Sequence, residues 1–352
     1  MDTDACLRQP EPWFFSLAIL GALYVAAFAC RLFHISGLAL CLCQPKDLRR
    51  SYGAWAVVTG PTSGIGRSMA VELARRGLNL VLVGRDPAAL QDVSDTVSSA
   101  HGVLTKTVQF DFSLVSTPQG AAPVHDSHTK IVQFDQGRAD RSRFLAGDEA
   151  MGRLREAVAG LEVGVLVNNA GVAKPGAVYL HEADAEAWVR MVRVNLWAMT
   201  EVTAAVLPGM VERGRGAIVN IGSGAAEALP SYPLYSVYGA SKQYVAQFSR
   251  SLYVEYTGKG IDVQCQAPLY VDTKMVVSMV TWGGYVSQVV MPTPDAYAGA
   301  AARCIGHRYP FCLPNLGHRL QMCFNQFVPG RILVVLCFRE TLQQRAMHLP
   351  RS

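Results

Sequence analysis

Charged residues are scarce in this sequence. Asp, Glu, Lys and Arg make up 17% of its 352 residues, whereas 50% of the residues are hydrophobic. This composition is apolar for a water-soluble enzyme and indicates that part of the chain lies in lipid. A basic block interleaved with aromatic residues is also missing, and the net charge of +5 comes from scattered Lys and Arg. The charge pattern therefore argues against nucleic-acid binding and fits small anionic ligands or a membrane surface better.

Paired CxxC clusters, which would indicate a zinc site, are absent from the sequence as well. The nine cysteines are odd in number and scattered along the chain. We therefore predict free thiols in a reducing compartment and no metal site.

An uncharged apolar run, Trp13–Cys30, lies near the N-terminus. As a helix rising about 1.5 Å per residue it would cover roughly 27 Å, close to the bilayer core of about 30 Å. Arg31 and His34 interrupt the pattern and an apolar run resumes over residues 35–43, so a tilted span and a re-entrant hairpin both remain open. Three acidic residues and a single basic one precede the run, which makes a cleaved signal peptide the weaker alternative.

Basic residues follow this apolar stretch, at Lys46, Arg49 and Arg50. By the positive-inside rule they place the large C-terminal part on the cytosolic face. We therefore predict an N-terminal membrane anchor over residues 1–50, with membrane lipid as a partner.

Short β-branched runs alternate with longer helical patterns from residue 54 onward. The runs cover residues 54–59, 78–83, 103–110, 164–167, 217–221 and 261–265, and residues 64–76 and 235–256 have helical patterns. Strands that alternate with helices indicate βαβ units around a parallel sheet. The predicted fold class is α/β, a doubly wound parallel sheet of Rossmann type in a single domain, with ligands at the carboxyl ends of its strands.

A repeated heptapeptide interrupts this order. TKTVQFD at residues 105–111 returns as TKIVQFD at residues 129–135. Only one copy can fill the third strand position, and we predict the first, because it follows the preceding helix after a short turn. Residues 121–147 then form an insertion in a surface loop, and the next helix begins near Asp148. Loop length is tolerated, since each doubling costs about 0.6 kcal/mol.

The Rossmann-type domain is predicted to cover residues 51–315, followed by a C-terminal segment over residues 316–352. Within that segment residues 327–338 are apolar but short, and they include Pro329, Gly330 and Arg331. They fit either a helix at the membrane interface or a buried helix.

A glycine-rich loop follows the first predicted strand and opens a helix. Its candidate cofactor-binding residues are Gly60, Thr62, Ser63, Gly64, Ile65 and Gly66. Glycines at these positions let the backbone turn tightly and approach a pyrophosphate, whose charge meets the N-terminus of the helix. A plain structural turn is the alternative, and the strand before and the helix after the loop favour the cofactor site.

Gly84 and Arg85 end the next predicted strand, where an enzyme that uses NAD would place an acid to hold the ribose hydroxyls. A small residue leaves room for a 2′-phosphate and arginine can pair with it, so we predict NADPH as the cofactor. The alternative is a solvated surface arginine, and the neighbouring Asp86 is the acid that could still favour NAD.

Tyr238 and Lys242 stand at i and i+4 and therefore share one helical face. A positive charge one turn away favours the phenolate. Moving a tyrosine pKa from about 10 to about 7 requires about 4 kcal/mol of differential interaction. Such a pair alone is usually helix surface, and its significance comes from the motifs around it.

Five motifs stand in the order typical of short-chain dehydrogenases/reductases, a family that the sequence resembles over residues 54–275. They are TGxxxGIG in the glycine-rich loop, NNAG at residues 168–171, Ser223, YxxxK at Tyr238 and Lys242, and PLYVDT at residues 268–273.

This resemblance implies a reductase with assigned site residues. Tyr238 would be the general acid, Ser223 would polarise the substrate carbonyl, Lys242 would bind the nicotinamide ribose and lower the tyrosine pKa, and Asn195 would hold a proton-relay water. The implied cofactor-binding residues also include Asp111, Asn168, Ala170, Gly171, Val271 and Thr273. Two departures concern the shape of the loops: Leu269 stands where the family often has glycine, and Ser223 precedes Tyr238 by fifteen residues, slightly more than is common.

Within the family, the apolar N-terminus and phrases such as VNNAGVAKPGA are most similar to the microsomal very-long-chain 3-oxoacyl-CoA reductases of plants, and less so to 17β-hydroxysteroid dehydrogenases. The first resemblance implies a long-chain 3-oxoacyl-CoA substrate, other fatty-acid elongase subunits as partners and the endoplasmic reticulum membrane as location. The dilysine tail frequent in that group is absent. A steroid 17-ketone reductase and a catalytically silent scaffold are the alternatives.

Overall fold

The structure, a computed structural model, describes residues 12–41, 45–114, 138–277, 291–307 and 309–348. The chain divides into two compact units, Met1–Cys43 and Gln44–Ser352. Residues 316–348, predicted as a separate segment, therefore belong to the same unit as the sheet.

The described part of the first unit, residues 12–41, is the helix α1 (Pro12–Cys41), of 30 residues. Its stretch Trp13–Cys30 is apolar and exposed throughout. The helix continues without a break through Arg31 and His34, so the structure contains a single long helix rather than the hairpin alternative. At about 1.5 Å per residue, this helix is long enough to cross a bilayer core of about 30 Å.

The second unit is built on a parallel sheet of seven strands in the order β3-β2-β1-β4-β5-β6-β7. The strands are β1 (Trp55–Thr59), β2 (Asn79–Gly84), β3 (Thr105–Gln109), β4 (Val163–Asn168), β5 (Gly216–Ile221), β6 (Ile261–Gln266) and β7 (Phe311–Cys312). The order reverses between β1 and β4, which is the switch point of a doubly wound sheet and the usual position of its ligand site. The predicted Rossmann-type sheet is confirmed.

Helices pack on both faces of this sheet. The helices of the second unit, among the described residues, are α2 (Leu48–Tyr52), α3 (Gly64–Arg75), α4 (Pro87–His101), α5 (Arg138–Val158), α6 (Ala185–Val192), α7 (Ala198–Arg213), α8 (Ala225–Ala228), α9 (Ser236–Tyr256), α10 (Lys274–Val277), α11 (Pro294–Cys304), α12 (Leu316–Asn325) and α13 (Gly330–His348).

Alternate residues of each central strand pack on opposite faces. In β1, Ala56 and Val58 pack in the cluster with α3, α4 and α11, whereas Val57 packs in the cluster with α5 and α7. Both faces of the sheet are therefore buried, which explains why its strands have near-continuous apolar sequences.

The first copy of the repeated heptapeptide forms the strand β3 of the sheet. β3 pairs in parallel with β2, with Val108 opposite Val83, and the second copy lies outside the described residues. The start of α5 differs from the prediction, since this helix begins at Arg138 and not near Asp148. Residues 138–147 contain no proline, and their single glycine costs only about 1 kcal/mol in a helix, so nothing in this stretch stops it.

Candidate active site

The glycine-rich loop joins β1 to α3 in a conformation that its glycines make possible. Gly60 and Gly64 have φ values of +64° and +53°, in the left-handed region that favours glycine. A Cβ on Gly66 would lie 2.1 Å from the carbonyl oxygen of Gly60, so the first turn of α3 packs directly on the loop. The backbone N–H groups at the start of α3 are thereby brought to the edge of the cleft.

Asn169 fixes this loop against the end of β4. Its Nδ2 donates to the carbonyl oxygens of Thr59 and Gly60 at 3.1 and 3.0 Å. The Thr59 hydroxyl in turn accepts from the backbone N–H groups of Asn169 and Ala170 at 2.9 and 3.0 Å. The carboxyl ends of β1 and β4 are therefore held together under the cleft.

Most of the predicted cofactor residues line one cleft of about 340 Å³. Its lining includes Gly60, Thr62, Ser63, Gly64, Ile65, Arg85, Asp111, Ala170, Gly171, Tyr238, Lys242 and Thr273. It also includes Gly84, which was predicted to leave room for a 2′-phosphate, and Phe112 and Asn169, which were not predicted as cofactor-binding residues. Cavities of this size are typical of small-molecule sites.

Five predicted residues lie outside this lining, namely Gly66, Asn168, Asn195, Ser223 and Val271. Asn168 differs most from the prediction: its Nδ2 donates to Thr203 Oγ1 at 2.9 Å and to Asn220 Oδ1 at 2.8 Å within the core. Val271 is buried in the cluster beneath the cleft. Successive side chains at a strand end face opposite sides, so Asn169 faces the cleft and Asn168 the core.

The ends of β2 and β3 form the end of the cleft where the sequence predicts the adenosine half of the cofactor. Asp86 caps α4, because its Oδ1 accepts from the N–H groups of Ala88 and Ala89 at 3.0 and 3.1 Å. Arg85 is exposed on the cleft and forms no ion pair with another described residue. The acid next to Arg85 is thus engaged with a helix, whereas the guanidinium can meet a 2′-phosphate.

Asp111 lies where the first copy of the repeat predicts it, directly after β3. Its Oδ1 accepts from the Ser113 N–H at 2.9 Å and from the Ser113 hydroxyl at 2.7 Å. Phe110 and Phe112 pack beside it with ring centroids 4.6 Å apart.

Asn195 lies in a π-helical turn, Arg193–Trp197, between α6 and α7. Its Oδ1 accepts from the Val172 N–H at 2.8 Å, and its Nδ2 donates to the Val172 carbonyl at 2.9 Å and to Ser241 Oγ at 3.1 Å. Such π-turns occur frequently at functional sites. This turn holds the amide between the loop after β4 and the catalytic helix α9.

Tyr238 and Lys242 lie one turn apart on α9 and meet Ser223 from the end of β5. The side chains of Ser223 and Tyr238 are hydrogen bonded. Lys242 Nζ donates to the Ile221 carbonyl at 3.0 Å and lies 5.9 Å from the centroid of the Tyr238 ring. Gly171 joins these residues to Asn195, since a Cβ there would lie 3.5 Å from Asn195 Oδ1 and 3.6 Å from Lys242 Nζ. The four predicted catalytic residues therefore converge.

Burial shifts both titratable groups of this pair. It raises the pKa of the Tyr238 hydroxyl, and the hydrogen bond with Ser223 offsets this only in part. Burial also lowers the pKa of Lys242 to about 8. The sequence predicts a lowered tyrosine pKa, and the structure has the opposite direction, because enclosure disfavours the phenolate more than Ser223 favours it. A tyrosine that stays protonated at neutral pH suits a proton donor.

Helix α13 contacts a residue next to Tyr238, which the sequence did not predict. Tyr235, whose ring centroid lies 6.3 Å from that of Tyr238, donates its hydroxyl hydrogen to Gln344 Oε1 at 3.0 Å. Arg345 forms an ion pair with Glu182 at 2.6 Å, which ties α13 to the segment after β4.

Comparison with known proteins identifies the protein family to which this fold and cleft belong. The short chain dehydrogenase family model matches residues 54–131 and 131–283. The chain therefore belongs to the short chain dehydrogenase family. Its two matched ranges meet at residue 131, inside the second copy of the repeat.

Three curated relatives match most of the chain. A very-long-chain 3-oxoacyl-CoA reductase-like protein of Arabidopsis thaliana is 39% identical over 334 residues, 94% of each chain. The very-long-chain 3-oxoacyl-CoA reductase of Anas platyrhynchos is 34% identical over 85% of this chain and 84% of its own. An inactive hydroxysteroid dehydrogenase-like protein 1 of Homo sapiens is 33% identical over 89% and 86%.

Among solved structures, a short-chain dehydrogenase from Sphingobium yanoikuyae in complex with NADPH is 26% identical, with a TM-score of 0.58 over 85% of this chain and 97% of that one. The cleft fits this cofactor: the loop glycines leave the backbone uncovered, and Arg85 stands at the adenosine end. The chain is thus an oxidoreductase that binds NADP(H).

Proposed function

We propose that this protein reduces 3-oxoacyl-CoA to 3-hydroxyacyl-CoA with NADPH in very-long-chain fatty-acid elongation. The convergence of Asn195, Ser223, Tyr238 and Lys242 at an NADP(H) cleft is the observation that carries the reduction. The substrate class rests on similarity to the Arabidopsis and Anas proteins, whose names state that activity.

The roles of the site residues in this proposal follow from their contacts. Bound NADPH supplies the hydride. Tyr238 donates a proton to the carbonyl oxygen of the substrate while Ser223, hydrogen bonded to Tyr238, orients that oxygen. Lys242 is held by the Ile221 carbonyl, where its ammonium can hold the ribose and stabilise the developing tyrosinate. Asn195 fixes the backbone at Val172, beside which a proton-relay water would bind.

The helix of the first unit supports a membrane location for this activity. The exposed apolar stretch Trp13–Cys30 has the length and composition of a membrane span. A second such stretch, Ala185–Arg213, is half buried where it flanks the sheet, so we do not assign it to the membrane. We propose the endoplasmic reticulum membrane, with the second unit in the cytosol and other elongase subunits as partners.

The exposed face of α12 and α13 supports a membrane contact of the C-terminal segment. Leu320 and Phe324 are exposed one turn apart on α12, and Val335 and Leu336 are exposed on α13. Arg331 and Arg339 lie on the same exposed part of α13. Apolar side chains flanked by basic ones are typical of helices at the interface of an anionic membrane.

The test is to supply membranes containing the protein with NADPH and a long-chain 3-oxoacyl-CoA, and to follow NADPH absorbance. Membranes with Tyr238→Phe are the matched control. We expect consumption only with the unchanged protein. Consumption with a 17-ketosteroid and not with the acyl-CoA would favour the steroid alternative, and no consumption with either would favour the silent scaffold.

A further inference from the structure

His318 is a fully buried histidine that the sequence motifs do not include. It lies in the first turn of α12, where its backbone N–H donates to the Asn315 side chain, the N-cap, at 3.1 Å. The imidazole is directed at the loop that follows β6, about fifty residues earlier in the chain. This loop leads to Thr273, which lines the cofactor cleft with Tyr238 and Lys242.

Both ring nitrogens of His318 bind the backbone of this loop. The Leu269 N–H donates to Nδ1 at 3.3 Å, and Nε2 lies 3.0 Å from the Tyr270 carbonyl oxygen. Nδ1 accepts and therefore carries no proton, so Nε2 carries one and donates. A single neutral tautomer satisfies both groups, and burial lowers the pKa of His318, which favours that neutral form.

Other groups of the loop bind elsewhere in the fold. The Pro268 carbonyl accepts from the Gly224 N–H at 2.7 Å, and the Tyr270 hydroxyl donates to Glu340 Oε1 of α13 at 3.2 Å. Among the described residues, the bonds at the Leu269 N–H and the Tyr270 carbonyl are both made by His318. Leu269 is also the position where the sequence departs from the glycine frequent in the family.

Thr273 depends on the course of this loop. Its Cγ2 lies 3.1 Å from the position a Cβ on Gly64 would take, so Thr273 faces the glycine-rich loop across the cleft. The Leu269 N–H belongs to the peptide that joins Pro268 to Leu269, and the Tyr270 carbonyl belongs to the peptide that joins Tyr270 to Val271. By bonding to both, the imidazole fixes these two peptides relative to each other, and so fixes the direction in which the chain continues to Thr273.

We infer that His318 is a positioning residue that holds the loop 268–273 in the conformation that receives the nicotinamide half of NADPH. The inference rests on NADP(H) binding and is independent of the acyl substrate. It predicts a selective defect: losing His318 weakens contacts to the nicotinamide half and spares contacts to the adenosine half.

The experiment compares two ligands by calorimetric titration of the purified full chain in detergent. NADPH carries both halves, whereas 2′,5′-ADP carries the adenosine and the 2′-phosphate without the nicotinamide. For His318→Phe we expect NADPH affinity to fall about tenfold and 2′,5′-ADP affinity to change less than about twofold, because two backbone groups lose their partner. Arg85→Ala should weaken both ligands.

Two further variants keep the inference testable if His318→Phe does not fold. His318→Asn can restore the acceptor for Leu269 and His318→Gln the donor for Tyr270, so each should show a smaller selective loss of NADPH affinity. Tyr297→Phe is the matched control, because the Tyr297 ring packs on His318 with centroids 6.0 Å apart and its hydroxyl has no partner among the described residues. It should leave both affinities unchanged. Equal loss of both ligands in the His318 variants, or no loss, would overturn the inference.

Discussion

Tyr238 is the residue on which the proposed proton transfer depends. Tyr238→Phe keeps the ring and removes only the hydroxyl, so we expect turnover to fall roughly a hundredfold to ten-thousandfold while NADPH binding remains nearly intact. Tyr244→Phe is the control on the same helix, since its hydroxyl bonds to Thr200, 2.8 Å away. The measurement is the rate of NADPH oxidation with NADPH affinity determined in parallel. A Tyr238→Phe rate above about a tenth of the parent would contradict the assignment.

Lys242 determines the expected pH dependence. The pKa of Lys242 is lowered to about 8, whereas that of Tyr238 is raised. As pH rises, the Lys242 ammonium therefore loses its proton before the Tyr238 hydroxyl does. An amine is charged below its pKa and neutral above it, and we therefore expect kcat/KM for the reduction to decline above about pH 8. A pH–rate profile measured at saturating NADPH checks this. A plateau that extends to pH 10 would show that the charge on Lys242 is not required.

Site residues within the sequence motifs could be predicted more readily than residues that contact the site from distant positions in the sequence. The glycine-rich loop and the Tyr238–Lys242 pair are local patterns, and the structure brings both to one cleft. His318 and Gln344 act through contacts with residues 49 and 109 positions away, and no local pattern reports such a contact. Asn168 and Asn169 are identical side chains at a strand end, so only the structure shows which one faces the cleft.

At the scale of elements, β3 is the strand for which the sequence offers two nearly identical segments, residues 105–111 and residues 129–135. Val108 in the first copy of the repeat is buried, and the corresponding residue of the second copy is Val132. Val108→Asp puts a carboxylate into the core between the sheet and α5, and we expect it to lower the free energy of unfolding by about 3 kcal/mol or more. Val132→Asp should change it by less than about 1 kcal/mol.

Thermal unfolding of the two variants, followed by circular dichroism, measures this difference. The pair is matched because the same substitution is made at equivalent positions of nearly identical heptapeptides. If Val132→Asp proved the more damaging change, the second copy would be the one in the sheet, and the implied cofactor-binding role would pass from Asp111 to Asp135.

The central strands were predictable because burial on both faces of a parallel sheet leaves nearly continuous apolar runs, as in β2 and β4. The start of α5 was not, because residues 138–147 are polar enough to be interpreted as a loop, although they contain nothing that stops a helix. Polar composition alone does not distinguish a solvent-exposed helical turn from a loop.

At the scale of the whole molecule, the segment after α1 links the proposed anchor to the catalytic unit. Lys46 Nζ donates to the Gly306 carbonyl and Arg49 to the Gly77 carbonyl, both at 2.5 Å. Leu48 and Tyr52 of α2 are buried in the core. The basic residues that follow the apolar helix are therefore part of the folded second unit. These basic residues and the rest of the second unit must lie on the same side of any membrane that α1 crosses.

This linkage makes the topology testable in sealed microsomes. The positive-inside rule places Lys46, Arg49 and Arg50 in the cytosol, so protease added outside should digest the unit that begins at Gln44. A luminal marker protein, protected until detergent is added, is the control for sealed vesicles. Immunoblotting for a C-terminal epitope tag reports the result. Loss of the tag without detergent is expected, since NADPH and acyl-CoA are supplied from the cytosol in the proposed reaction. A protected fragment that extends from Tyr52 to the tag would show that the catalytic unit faces the lumen, and it would exclude the cytosolic orientation.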